Sequence, residues 1–125
     1  MVTTDISQLN AECNTWITNL RNQREDLNKC KTTLQEVASR QTSKSILQDI
    51  EHYQNQFHIQ LINIHDVKLA VKEHEKMAAR ELKDGKGVSE LVWSKHEQLY
   101  DSYHHLEQTL QELQEDFNQF IHRTK

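Results

Sequence analysis

The feature that most constrains this chain is its lack of residues that interrupt helices. It contains no proline, and its only two glycines stand close together, at Gly85 and Gly87. Proline breaks helices and glycine destabilises them. A chain of 125 residues with a single such interruption has few positions at which it can turn. The sequence therefore predicts an all-α fold made of long helices.

Apolar side chains recur at alternating spacings of three and four residues in three separate segments. The first run is Ile6, Leu9, Cys13, Trp16, Leu20, Gln23, Leu27, Cys30, Leu34 and Val37. The second is Ile46, Ile50, Tyr53, Phe57, Gln60, Ile64, Val67, Val71, His74 and Ala78. The third is Val92, His96, Leu99, Tyr103, Leu106, Leu110, Leu113, Phe117 and Phe120. Sustained heptad patterns of this kind are typical of helices packed along their lengths, as in coiled coils.

These segments predict helices over about 4–39, 45–83 and 88–123 in one domain that spans residues 1–125. Two short connections between long helices favour an antiparallel, up-down-up three-helix bundle. The second connection contains Gly85, which suits the left-handed position that ends a helix. With Trp16 in the core of the first helix, the architecture resembles that of a spectrin-type repeat.

A further set of apolar residues widens the apolar stripe, because each of them comes directly after a heptad core position in the sequence. These residues are Ile17, Leu47, Leu61, Leu82, Trp93, Tyr100 and Ile121. A stripe of this width favours a bundle over a two-stranded coil.

Two glutamines interrupt the apolar core positions in the middle of their helices. Folding the first two helices back about residue 41 brings Gln23 to the level of Gln60. We interpret them as a hydrogen-bonded amide pair that fixes the register of the helices. The alternative is a polar binding site inside the bundle.

Two histidines occupy core positions at the other end of the second helix. Folding the second and third helices back about residue 85 brings His74 close to His96. We interpret them as a structural pair, and we predict no bound metal or other cofactor. The alternative is that this end of the bundle binds a metal ion or a small ligand. A zinc site needs further ligands, and Cys13 is expected about one turn away from the pair.

The motifs of common enzyme classes are missing from the sequence. There is no glycine-rich phosphate loop, and no paired carboxylates are expected to point inward. Both cysteines, Cys13 and Cys30, fall on core positions, where a reactive thiol is not expected. We therefore predict no catalytic residues and no enzymatic activity.

The charge balance and the N-terminal sequence indicate which kinds of partner and which cellular compartment to expect. The net charge of −4 gives no electrostatic reason to bind nucleic acid or an anionic membrane. The first residues resemble no signal peptide, and two cysteines 17 residues apart on one helix cannot form a disulfide. We therefore expect a cytoplasmic protein with protein partners.

The second helix carries apolar side chains on its outer side as well as on its inner side. Ile59, Ile62 and Leu69 fall on positions that face away from a three-helix core. Exposed apolar groups of this kind often mark an interface. We predict a non-enzymatic interaction or scaffold module that forms a homodimer through this face. The alternative is that the helix is rotated in the bundle, or that the first helix covers the patch.

Overall fold

The computed structural model describes residues 2–85 and 87–124 and contains three long helices. They are α1 (Val2–Ala38), α2 (Lys44–Lys83) and α3 (Glu90–Thr124). The described residues contain no β-strand, which confirms the predicted all-α fold. Each helix contacts both of the others, as in a three-helix bundle.

The direction of α3 relative to α2 follows from two contacts near opposite ends of the pair. The hydroxyl of Tyr53, near the start of α2, donates to the Asp116 carboxylate near the end of α3. His74, near the end of α2, meets His96 near the start of α3. The two contacts occur in opposite order along the helices, so α2 and α3 pack antiparallel.

Contacts between α1 and α3 occur in the same order along both helices. The side-chain amide of Asn19 donates to the hydroxyl of Tyr103. Further along, the side-chain amide of Gln114 donates to Gln23. The two helices therefore run parallel, which together with the antiparallel α2 gives the predicted up-down-up order.

Most of the heptad positions that the sequence pattern identifies are buried, and five are half-buried: Gln23, Cys30, Ile46, Val67 and Leu113. Leu20, Ile64 and Leu110, one from each helix, are completely buried. Burying one such side chain contributes roughly 1.5–3 kcal/mol. The positions that widen the apolar stripe divide: Ile17, Leu61, Trp93 and Ile121 are buried or half-buried, and Leu47, Leu82 and Tyr100 are exposed. The apolar stripe is therefore widened at the first four positions, whereas the last three are exposed, although the Tyr100 ring still meets Trp16 of α1 with centroids 6.0 Å apart.

The connection between α2 and α3 is fixed by polar contacts. Gly85 has a φ of 77°, which confirms the predicted left-handed position after α2. Ser89 donates its N–H and its hydroxyl to the Glu81 carboxylate, at 2.7 and 2.9 Å. The Ser89 hydroxyl also accepts the N–H of Val92 at 3.3 Å, the contact of an N-cap. This cap explains why α3 begins at Glu90 and not at the predicted residue 88.

Candidate functional site

Two buried histidines face each other where α2 ends and α3 begins. Nε2 of His74 and Nδ1 of His96 are 3.0 Å apart, so the N–H of one ring donates to the other ring. His74 is 2% exposed and His96 is 5% exposed. The predicted juxtaposition of the two residues is confirmed, and both are buried, as their core positions predict.

A buried cysteine from α1 completes a cluster to which each helix contributes one residue. The sulfur of Cys13 and one ring nitrogen from each of His74 and His96 all lie within 4.8 Å of one another. The expectation that Cys13 lies a turn away from the histidines is therefore wrong. The stagger of α1 against α3 brings the thiol level with the pair.

His96 is held on several sides by other side chains. The Trp16 ring stacks on its imidazole with centroids 4.8 Å apart. Trp93 meets the same ring edge-on, with centroids 5.5 Å apart. Nε2 of His96 lies 3.7 Å from a carboxylate oxygen of Glu12, which is longer than a hydrogen bond. The imidazole is thus fixed in position with a carboxylate close to its outer nitrogen.

The contact between the histidines leaves the outer nitrogen of each ring unsatisfied. Nδ1 of His74 and Nε2 of His96 are buried, and neither has a hydrogen-bond partner among the described residues. An unsatisfied buried polar atom costs about 1–3 kcal/mol, and most native buried polar groups have a partner. The cluster is therefore less satisfied than an ordinary structural pair.

The titration of the cluster follows from its burial. Burial, with smaller contributions from His96 and Lys95, lowers the pKa of His74 from 6.5 to about 4. Burial also lowers the pKa of His96, although the Glu12 carboxylate opposes this effect. Burial, aided by the charges of Glu75 and Glu12, raises the pKa of the Cys13 thiol to about 12. At neutral pH the three side chains are uncharged, and together they offer one sulfur and two imidazole nitrogens.

A surface pocket of about 400 Å³ lies beside the cluster and reaches His96. Its other lining residues are Glu12, Trp93, Glu97, Tyr100 and Asp101. Three of these residues are carboxylates and none is basic, so the pocket is negative and favours cations.

The two core glutamines have different partners from those predicted. Gln23 is half-buried and accepts a hydrogen bond from Gln114 of α3 at 2.9 Å. Gln60 is buried and accepts one from Asn63, one turn along α2, at 3.1 Å. The expected amide pair between Gln23 and Gln60 is therefore wrong, because the amide oxygen of each accepts a hydrogen bond from a different residue.

The apolar residues on the outer side of α2 lie in solvent. Ile59, Ile62 and Leu69 are 46%, 48% and 52% exposed. The alternative in which α2 is rotated, or in which α1 covers these side chains, is therefore wrong. We call this set of three residues the α2 patch.

None of the described helices contains a stretch that is both long and apolar enough to span a membrane. No protein family, curated protein or solved structure that was compared with the chain matches it. The likeness to a spectrin-type repeat is therefore one of architecture alone.

Proposed function

We propose that the protein is a non-enzymatic interaction module that pairs with a second copy of itself through the α2 patch. The observation that carries this proposal is the exposure of three large aliphatic side chains on one side of α2, each about half exposed. Apolar side chains grouped on one exposed face are typical of protein interfaces.

The filled interior supports an interaction module over an enzyme. Phe57, Leu20 and Leu110 are fully buried, and the core is built mainly from large side chains of all three helices. Enzymes usually bind their substrates in concave pockets lined mainly by apolar side chains, whereas the acidic pocket beside His96 lies on the surface. A bundle filled in this way presents helix faces to its partners.

The spacing of the α2 patch suits a second copy as the partner. In a two-fold pair of antiparallel helices, residue i of one copy faces residue j of the other, and residue j faces residue i. With the axis between His65 and Asp66, Ile62 of each copy faces Leu69 of the other copy. The pair of copies then contains two equivalent contacts between Ile62 and Leu69, one on each side of the axis.

The exposed polar residues beside the patch are complementary in the same register. His58 of each copy faces Glu73 of the other copy. Both side chains are exposed in the single chain. An imidazole therefore meets a carboxylate on each side of the axis, which favours this pairing.

The proposed compartment is the cytoplasm. Cys13 and Cys30 are both free and cannot pair with each other on α1, so this fold needs no oxidising compartment. Location of a tagged protein by microscopy tests this part of the proposal.

Sedimentation equilibrium of a patch variant tests the pairing. We expect wild type to have the mass of a dimer and the double variant Ile62→Lys/Leu69→Lys to have that of a monomer, with an unchanged helical circular-dichroism spectrum. Leu47→Lys/Leu91→Lys is the matched control, because these residues are exposed apolar side chains outside the patch. The control should remain dimeric. A monomeric wild type, or a patch variant that keeps the dimer mass, would contradict the proposal.

A further inference from the structure

We propose that Cys13, His74 and His96 form a binding site for a zinc-type metal ion in the core of the bundle. Each helix supplies one ligand, so the ion would connect all three helices at the α2–α3 end. This inference does not rest on the α2 patch, because it concerns buried side chains and not the outer surface.

The donor set selects the class of metal. Zinc binds cysteine thiolates and imidazole nitrogens, usually in tetrahedral geometry. Magnesium and calcium prefer oxygen ligands and are not suited to one sulfur and two nitrogens. Three protein ligands leave a fourth tetrahedral position for a water molecule.

The distances in the cluster are close to those of a tetrahedral site. Zinc–nitrogen bonds of about 2.0–2.1 Å and zinc–sulfur bonds of about 2.3 Å place neighbouring donor atoms roughly 3.3–3.6 Å apart. The two facing ring nitrogens are already 3.0 Å apart. The three donor atoms lie within 4.8 Å of one another, so side-chain adjustments of about 1 Å would complete the geometry.

A bound ion would occupy the position of the proton between the two rings, and this gives the unsatisfied outer nitrogens a role. Each coordinating nitrogen must then be unprotonated, so each ring carries its proton on its outer nitrogen. These outer nitrogens are the two buried atoms that lack a partner. On His96 the outer N–H would point to the region of Glu12, whose carboxylate oxygen lies 3.7 Å away.

Glu12 would therefore act as a positioning residue for the His96 ring. A histidine that binds a metal usually donates its other N–H to a carboxylate or a carbonyl group, which fixes the ring and its tautomer. Glu12 precedes the ligand Cys13 in the chain, so the same turn of α1 would supply both groups.

The acidic pocket beside the cluster would draw cations towards the site. Its lining includes His96, Glu12, Glu97 and Asp101, and negative charge in a cleft raises the local concentration of cations.

Binding is a simple exchange of an ion for a proton. The S–H bond of Cys13 breaks, a metal–sulfur bond forms, and the thiol proton leaves to solvent. Both imidazoles stay neutral, and the ring that donated the hydrogen bond moves its proton from its inner to its outer nitrogen. No group is oxidised or reduced.

Cobalt(II) binding to the chelator-treated protein tests the site, because cobalt reports a thiolate ligand by its charge-transfer absorption. We expect this absorption in wild type and in Cys30→Ala, the matched control that lacks the other cysteine. We expect its loss in Cys13→Ala and in Cys13→Ser, which better keeps the side-chain volume. Circular dichroism checks that each variant is folded. Absence of the absorption in wild type, or its persistence in folded Cys13 variants, would overturn the proposal.

Zinc should displace the cobalt and stabilise the protein. At a free zinc concentration about 100-fold above Kd, we expect Tm to rise by roughly 10 °C in wild type. Magnesium should leave Tm unchanged. The variant Ile62→Lys/Leu69→Lys should keep the zinc response, so failure of the metal site and failure of the α2 interface are distinguishable. An unchanged Tm in wild type would count against the site.

The role of Glu12 is tested by comparing Glu12→Gln with Glu97→Gln. Both variants remove one negative charge from the lining of the same pocket. Loss of a group that orients a ligand typically weakens metal binding 10–100-fold. We expect a loss of that size for Glu12→Gln and a clearly smaller one for Glu97→Gln. Equal losses would show that only pocket charge matters and would overturn the positioning role.

Discussion

The aromatic end of the bundle, near the α1–α2 connection, and the histidine end, near the α2–α3 connection, bury polar atoms in different ways. At the aromatic end the ring centroids of Phe57 and Phe117 are 5.0 Å apart, and those of Tyr53 and Phe117 are 5.4 Å apart. The hydroxyl of Tyr53 donates to a carboxylate oxygen of Asp116 at 2.8 Å. The polar atom at this end is therefore satisfied, and stability alone accounts for its residues.

At the histidine end the burial is similar but the polar atoms are not satisfied. His74 and His96 have one contact with each other, and each keeps one buried nitrogen without a partner. Unsatisfied atoms lower stability. Packing and a satisfied hydrogen bond thus account for the aromatic end, whereas the histidine end keeps two buried nitrogens without partners in the described part of the chain, as expected of the metal site inferred above.

The largest effect is expected at the aromatic end. Phe117→Ala should lower the free energy of unfolding by about 3–5 kcal/mol, because a fully packed ring leaves a cavity. Urea denaturation measures this loss. Leu91→Ala is the control, since Leu91 is 73% exposed and its truncation should change stability by less than about 0.5 kcal/mol. A loss below about 1 kcal/mol for Phe117→Ala would contradict the packing.

The next largest effect is a pH dependence of stability, which distinguishes the histidine end from the aromatic end. His74 has a folded pKa of about 4 and an ordinary value of 6.5, so the unfolded chain binds more protons between these values. Stability of the metal-free protein is therefore full above pH 6.5 and falls as the pH drops towards 4, by up to about 3 kcal/mol from this residue.

The variant His74→Leu/His96→Leu makes the histidine end apolar and removes this titration. Urea denaturation at several pH values between 4 and 7 should show a flatter pH dependence for the variant than for wild type. Equal slopes in the two proteins would mean that the histidines are not buried in the neutral form.

A smaller effect is expected for the satisfied hydroxyl at the aromatic end. Tyr53→Phe removes the hydrogen bond to Asp116 and should cost about 0.5–1.5 kcal/mol. Tyr100→Phe is the matched control, because Tyr100 is about half exposed, and its change should lie within about 0.5 kcal/mol of zero. If both substitutions have the same effect on urea midpoints, the hydroxyl of Tyr53 does not stabilise this end.

The smallest effect concerns the polar atoms between the two ends. Gln23→Leu/Gln60→Leu should raise Tm by a few degrees, corresponding to about 0.5–1 kcal/mol, because leucine is favoured over an amide in the core. Thermal unfolding followed by circular dichroism measures the change. A large decrease in Tm would show that the two amides are needed for the register.

The fold and the histidine contact follow from local sequence signals. The heptad pattern predicts three helices, and the glycine-containing connection fixes how α2 folds back on α3. That connection is short, so counting residues from Gly85 is enough to place His74 beside His96. The same reasoning fails for Cys13, since no loop joins α1 directly to α3 and their relative stagger is set only by packing.

Side-chain contacts between α1 and α3 reveal this stagger. Asn19 bonds to Tyr103, which lies 84 residues further along the chain, and Glu12 lies near His96 with the same separation. This offset places Cys13 level with His96. The partner of Gln23 also escapes prediction, because a flexible amide can reach several neighbouring positions and the heptad pattern does not distinguish between them.

X-ray absorption at the zinc edge tests most directly whether the histidine end is a ligand site. The zinc-loaded protein should show one sulfur at about 2.3 Å and nitrogen or oxygen neighbours at about 2.0–2.1 Å. The sulfur contribution should disappear in Cys13→Ser and remain in Cys30→Ser. A first shell of nitrogen and oxygen only in the wild-type protein would contradict the account.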